Sequence, residues 1–155
     1  MTQKFVHPAA RYFQDFEIGD KIVTQGRTIT EADIVSFAGL SGDFNPLHLD
    51  ADYMRDSMFG ERIAHGLLVL SAASGLAWQL GFMAGTVEAF LSLEWKFRAP
   101  VKIGDTIHVE AEVKQRKAMP SANGGIVSLD VLVKNQAGKT TQKGQWTVMI
   151  KNRPE

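Results

Sequence analysis

Residues 64–87 of this chain contain no Asp, Glu, Lys or Arg, and four segments of alternating hydrophobicity follow them. That order limits the possible folds more than any other feature. An uncharged stretch of this length raises the question of a membrane-spanning helix. Gly66, Ser71, Ser74, Gly75, Gln79, Gly81 and Gly85 interrupt it, however, and the helix is expected to end near Gly81. A helix over 66–80 is roughly 22 Å long at about 1.5 Å per residue, short of a bilayer core. A helix that is apolar on every side and too short to span belongs inside a protein. It needs a sheet to cover it, and its Ala, Gly and Ser residues let strands pack closely.

The sheet is legible downstream. Leu91, Leu93, Trp95 and Phe97 alternate with Ser92, Glu94, Lys96 and Arg98, the pattern of a half-buried strand. The same period recurs at Ile107, Val109, Ala111 and Val113, at Val127, Leu129, Val131 and Val133, and at Trp146, Val148 and Ile150. Pro100 with Gly104-Asp105, a loop over 120–125, and Ala137-Gly138 separate them. Four consecutive strands joined by tight turns predict an antiparallel sheet.

Upstream, Phe16-Glu17-Ile18-Gly19-Asp20 reads as a turn feeding a strand over 21–29. Thr30 and Asp33 form a capping box with Asp in place of the usual Glu. Ile34, Val35, Phe37 and Ala38 give the helix that follows an apolar face. It should stop at Gly39 or soon after, with Gly42 turning the chain. Asp50 is placed to cap a short helix over 51–58 that Phe59-Gly60 ends. Helix segregated from strands is the α+β class. With no repeat, low-complexity tract or linker, the expectation is one domain over 1–155, its core at about 12–150.

Composition narrows the function. The chain has 155 residues, enough to bury a core, and no cysteine, which excludes disulfides, thiolate metal sites and a cysteine nucleophile. Lys+Arg and Asp+Glu are each 17. No positive excess points to nucleic acid or an anionic membrane, and net neutrality favours self-association. Residues 1–11 lack the apolar core of a signal peptide, so a cytoplasmic location is expected.

The chemistry concentrates in Ser41-Gly42-Asp43-Phe44-Asn45-Pro46-Leu47-His48. A carboxylate and an imidazole stand five residues apart on what reads as a short loop stiffened by Asn45-Pro46, since Pro46 holds Asn45 extended. Asp43 is ordinarily ionised and His48 mostly neutral near pH 7; burial would raise the first pKa and lower the second, drawing the two values together. Such a pair can share a water, take a proton and return it. Asn45 could orient either partner. Asp and Asn beside Gly and Pro also serve turns for backbone reasons alone. His7, His48, His65 and His108 show no clustered spacing, so no metal is expected.

The second feature is Ile63-Ala64-His65-Gly66-Leu67-Leu68, at the start of the apolar helix. The first N–H groups of a helix lack intrahelical partners and carry the positive end of its dipole. A carbonyl oxygen gaining charge would be stabilised there. Gly66 allows a ligand close, or simply eases entry into the helix. Ser71 could donate to a substrate atom or serve packing.

Together these two motifs resemble the MaoC-like, (R)-specific enoyl-CoA hydratases, as does the strand-turn-strand at Arg98-Ala99-Pro100-Val101-Lys102-Ile103-Gly104-Asp105. The resemblance covers residues 12–150. It implies a hotdog fold, an antiparallel sheet wrapped around one long helix, in a homodimer or dimer-based assembly. It implies a catalytic pair, Asp43 and His48, and a substrate-binding set, Asn45, His65, Gly66, Leu67 and Ser71, with the Gly66 amide facing the thioester carbonyl. The implied reaction is reversible hydration of a trans-2-enoyl-CoA to an (R)-3-hydroxyacyl-CoA, with Asp43 the preferred proton donor to the α-carbon. No cofactor is needed beyond the coenzyme A of the acyl-CoA substrate itself, because the thioester makes the β-carbon electrophilic.

Two other functions compete. A hotdog acyl-CoA thioesterase would commonly place an acid on the central helix, and no Asp or Glu occurs between Glu61 and Glu88. A non-catalytic acyl-CoA-binding subunit would need neither Asp43 nor His48. Trp78, Phe82, Met83 and Phe90 are candidate pocket walls, and the acyl chain and pathway stay open.

Overall fold

The computed structural model describes residues 7–155; residues 1–6, the start of the expected domain and most of the segment judged unlike a signal peptide, lie outside the described residues. The elements run β1 (Lys21–Val23), β2 (Arg27–Thr28), α1 (Glu31–Ser41), α2 (Pro46–Leu49), α3 (Ala51–Arg55), α4 (Gly66–Gln79), β3 (Val87–Phe97), β4 (Thr106–Met119), β5 (Gly124–Lys134) and β6 (Thr140–Lys151). The strands form an antiparallel sheet in the order β1-β4-β5-β6-β3, with β2 also paired to β4. Among the described residues no helix is long and apolar enough to cross a membrane.

The uncharged stretch is the buried helix its composition demanded. Leu68, Val69, Ala72, Ala73, Leu76 and Ala77 of α4 are buried, and they share one core with Val109, Val113, Leu129, Val131, Val133, Trp146, Val148 and Ile150. Period-two alternation puts those strand residues on one face. The registers Val113↔Leu129 and Leu129↔Trp146 then align them across β4, β5 and β6. The capping box forms as read: Thr30 Oγ1 accepts from Asp33 N–H at 3.2 Å, and Asp33 accepts from Thr30 N–H at 2.9 Å. Gly42 ends α1 in the left-handed region at φ 77°.

Several local expectations are corrected. The strand expected over 21–29 is broken. Val23 pairs with Glu110 and Arg27 with Ile107, so β1 and β2 carry one residue too many for the facing stretch of β4. Thr24 bridges the break, giving its N–H to Val109 O at 3.0 Å and accepting Val109 N–H at 2.9 Å. The helix expected over 51–58 stops at Arg55, although Asp50 caps it as foreseen, accepting from Tyr53 N–H at 2.9 Å. Asn45-Pro46 starts a one-turn helix: Pro46 takes the first helical position, where its missing N–H costs nothing, and Asn45 is the cap.

The largest correction concerns β3. It does not form a hairpin with β4, because β6 inserts beside it and leaves β3 at the edge. Segment 98–105 therefore crosses the end of the sheet to reach β4, pairing on the way at Lys102↔Ile63. As an edge strand β3 is not half-buried, and Leu91, Leu93 and Phe97 are exposed. A bulge between Phe90 and Ser92 also shifts the alternation. Phe90, not Leu91, consequently lies over Trp146, edge-to-face at 6.0 Å.

Two stability predictions arise here. At Gly144 of β6 an added Cβ would sit 1.9 Å from the Glu94 carbonyl oxygen of β3, which cannot move without breaking the ladder. Gly144→Ala should cost at least about 2 kcal/mol, read as a lowered midpoint in urea unfolding. A smaller effect is expected at Glu31. Its carboxylate takes a two-pronged contact from the Arg62 guanidinium, and that hydrogen bond holds its pKa below the ordinary 4.5. A depressed folded pKa adds stability above the unfolded value, and that stability is lost as pH falls through the folded one. Because Glu31 is more than half exposed, Glu31→Gln should cost no more than about 1 kcal/mol at pH 7. Wild type and variant should converge in stability as Glu31 is protonated.

Candidate functional site

Asp43 and His48 come together beside the start of α4. Asp43 follows the left-handed Gly42, and its Oδ1 accepts from the Asn45 N–H at 3.2 Å. His48 rides on α2, while Asp43 stays on the loop over 42–45 that leads into it, so only the second half of the expected loop is a capped helical turn. His48 Nδ1 lies 2.8 Å from the Ile63 carbonyl oxygen, which only accepts; Nδ1 therefore carries the hydrogen. In the neutral ring this leaves a lone pair on Nε2, which faces Asp43 Oδ2 at 3.8 Å. That gap is too long for a direct hydrogen bond, and a water lying to one side can bridge it. His48 is buried, whereas the Asp43 side chain is 50% exposed, not buried as the sequence reading supposed.

His65, the N-cap residue of α4, is 2% exposed. It stacks on His48 with ring centroids 3.8 Å apart and planes at 27°, and its Nε2 is 3.0 Å from the Asp43 carbonyl oxygen. The fold thus brings Asp43, His48 and His65 close enough to offer ligand atoms within 4.8 Å of one another, a cluster the spacing of the histidines did not reveal. Imidazole lone pairs lie in the ring planes, and two stacked planes aim them side by side.

A pocket of about 480 Å³ opens against His48. Its walls are mainly apolar: Phe59, Ile63, Leu67, Val69, Phe97 and Val101. The expected substrate-binding residues are placed differently from one another. Gly66 and Leu67 line this pocket at the N-terminal end of α4. Asn45 uses its Oδ1 to cap α2, accepting from Leu47 N–H at 3.0 Å, and it orients Asp43 through its backbone N–H only. Ser71 lies outside the pocket, with its hydroxyl donating to Leu67 O at 2.7 Å. Gly66 has a packing reason as well: an added Cβ would meet the Phe97 ring at 2.7 Å.

The aromatic wall candidates are corrected. Trp78, Met83 and Phe90 line a separate groove with Val87, Trp146 and Val148, and Phe82 packs into the core against Phe16. The crossing segment 98–105 supplies part of the wall beside His48 instead, through Arg98, Ala99, Pro100 and Val101. One residue escaped the sequence reading altogether. Gln142, buried on β6, donates Nε2–H to Gly66 O at 2.9 Å and accepts the Trp95 indole N–H at 2.8 Å. It pins the start of α4 to the sheet. A polar residue at an inward strand position, 142 being in phase with Trp146, Val148 and Ile150, was the available signal.

One buried helix under an antiparallel sheet, with a carboxylate and an imidazole near the helix N-terminus, defines a hotdog protein in which the imidazole lines a largely apolar pocket. Residues 14–135 match the family model described as "MaoC like domain", and the chain belongs to that family. It is 37% identical over 140 residues to the (R)-specific enoyl-CoA hydratase of Rhodospirillum rubrum, covering 90% of this chain and 91% of that one. It is 41% identical over 111 residues to protein MaoC of Klebsiella aerogenes, covering 72% of this chain but 33% of that protein's length. The solved structure of the monoamine oxidase regulatory protein from Archaeoglobus fulgius superposes with a TM-score of 0.86 at 38% identity, covering 94% of this chain and 97% of that one.

Proposed function

We propose that the protein is a hydratase that adds water reversibly to a trans-2-enoyl-CoA to give an (R)-3-hydroxyacyl-CoA. The observation that carries this reading is the 3.8 Å gap between His48 Nε2 and Asp43 Oδ2, with the His48 tautomer set by the Ile63 carbonyl. The name of the Rhodospirillum rubrum relative supports the same reaction.

Water held between the two groups gives a proton to the pair as its oxygen bonds to the β-carbon. The electrons of the C=C bond move towards the thioester, whose oxygen gains enolate-like charge. The free N–H groups of the first turn of α4, at Gly66 and Leu67, are placed to stabilise that oxygen. The proton then passes from the pair to the α-carbon, with Asp43 the preferred donor, and the pair is restored. The thioester supplies the activation, so the step draws on no metal or redox cofactor.

A dimer accompanies this proposal. Phe90, Leu91, Leu93 and Phe97 on the edge strand and Trp78 on α4 expose a run of large apolar side chains, which a second copy would cover. Hydrolysis is the competing reading, and α4 carries no acid that would promote it. Incubation with a saturated acyl-CoA and a thiol reagent should release no free CoA, while an enoyl-CoA should lose its conjugated absorbance. Steady CoA release from the saturated thioester would replace the hydratase reading with a thioesterase.

A further inference from the structure

His65 is expected from the sequence resemblance to touch substrate, yet it does not line the pocket that holds Gly66 and Leu67. What it touches is the pair itself. Its Nε2 is 3.0 Å from the Asp43 carbonyl oxygen, an acceptor only, so Nε2 carries the hydrogen and donates it. The lone pair of the neutral ring then falls on Nδ1, which is buried with no hydrogen-bond partner among the described residues. Asp43 has few other restraints. Its N–H donates to Ser41 Oγ at 3.1 Å and its Oδ1 accepts from Asn45 N–H at 3.2 Å, both within two residues. Among the described residues, the bond from His65 is the only one that ties Asp43 to a distant part of the chain.

The same ring fixes the other partner. His65 stacks face to face on His48 at 3.8 Å, and Phe37 of α1 packs against His65 edge-to-face at 5.0 Å. The helix start, through one buried imidazole, thus holds the backbone of the carboxylate and the plane of the second imidazole at once. We propose that His65 is a positioning residue that sets the distance between Asp43 and His48, acting through the Asp43 carbonyl and the stacked ring, and that it makes no contact with substrate. This rests on the hydratase reading for its kinetic consequence, but its structural content stands apart from it.

Two variants separate the contributions. His65→Phe keeps a ring to stack and removes the donor; His65→Gln keeps an N–H of similar reach. With crotonyl-CoA, kcat of His65→Phe should fall about tenfold while KM stays within about twofold, and His65→Gln, which keeps the donor but not the stacked ring, should recover part of kcat. A raised KM with kcat preserved would return His65 to substrate binding, and an unchanged kcat would leave it structural only. If His65→Phe fails to fold, His65→Gln carries the kinetic test, since a folded but tenfold slower protein overturns the role of the donor. Long-range proton–nitrogen spectra of ¹⁵N-labelled wild type give a readout that needs no turnover. His65 should appear as the Nε2–H tautomer, and His65→Phe should shift the ring signals of His48. An Nδ1–H tautomer for His65, or His48 signals unmoved by the substitution, would overturn the proposal even if the wild type hydrates nothing.

Discussion

Asp43→Asn should slow hydration at least about a hundredfold while leaving the fold intact. The side chain is half exposed, and Asn retains an oxygen to accept the Asn45 N–H, so little packing or hydrogen bonding is lost. What disappears is the charge and the ability to hold and release a proton opposite His48 Nε2. Because Asp43 lies outside the apolar wall of the pocket, KM should change far less than kcat. Steady-state rates on an enoyl-CoA, with thermal unfolding as the control for folding, check this. A folded Asp43→Asn protein with near-normal turnover would remove Asp43 from the reaction.

His48→Gln is expected to cost more, on the order of 10³-fold in kcat, within the range for a positioned acid/base group. His48 is buried, and its Nδ1–H bond to Ile63 O anchors α2 to the segment before α4. Gln can still donate to that carbonyl, which limits the structural cost, but it offers no basic nitrogen. The two groups act on one water, so the double variant should be no more than a few-fold slower than His48→Gln alone. Multiplied losses would mean that the two residues act on separate steps.

Much of this was legible in the sequence because the signals were strong and local. An uncharged helix bracketed by alternating strands has few ways to bury itself, and the capping box at Thr30 and Asp33 is a short-range pattern. Where reading failed, a long-range competitor decided. Nothing in residues 91–105 tells that β6 will take the place beside β3, so a crossover was read as a turn. That crossover then builds the pocket wall at Arg98, Pro100 and Val101, whereas the candidates Trp78, Phe82, Met83 and Phe90, at the end of α4 and beyond it, lie elsewhere. Asp43 and His48 were visible because they share one octapeptide. Gln142 was not, because its meaning comes from a contact 76 residues away, with Gly66.

The most direct measurement is addition of the purified protein to crotonyl-CoA, following loss of the conjugated enoyl thioester absorbance and resolving the product on a chiral phase. The reading given above predicts loss of absorbance and an (R)-3-hydroxybutyryl product, both abolished in a folded Asp43→Asn/His48→Gln protein. Formation of the (S) product, or an equal rate with the double variant, would contradict it.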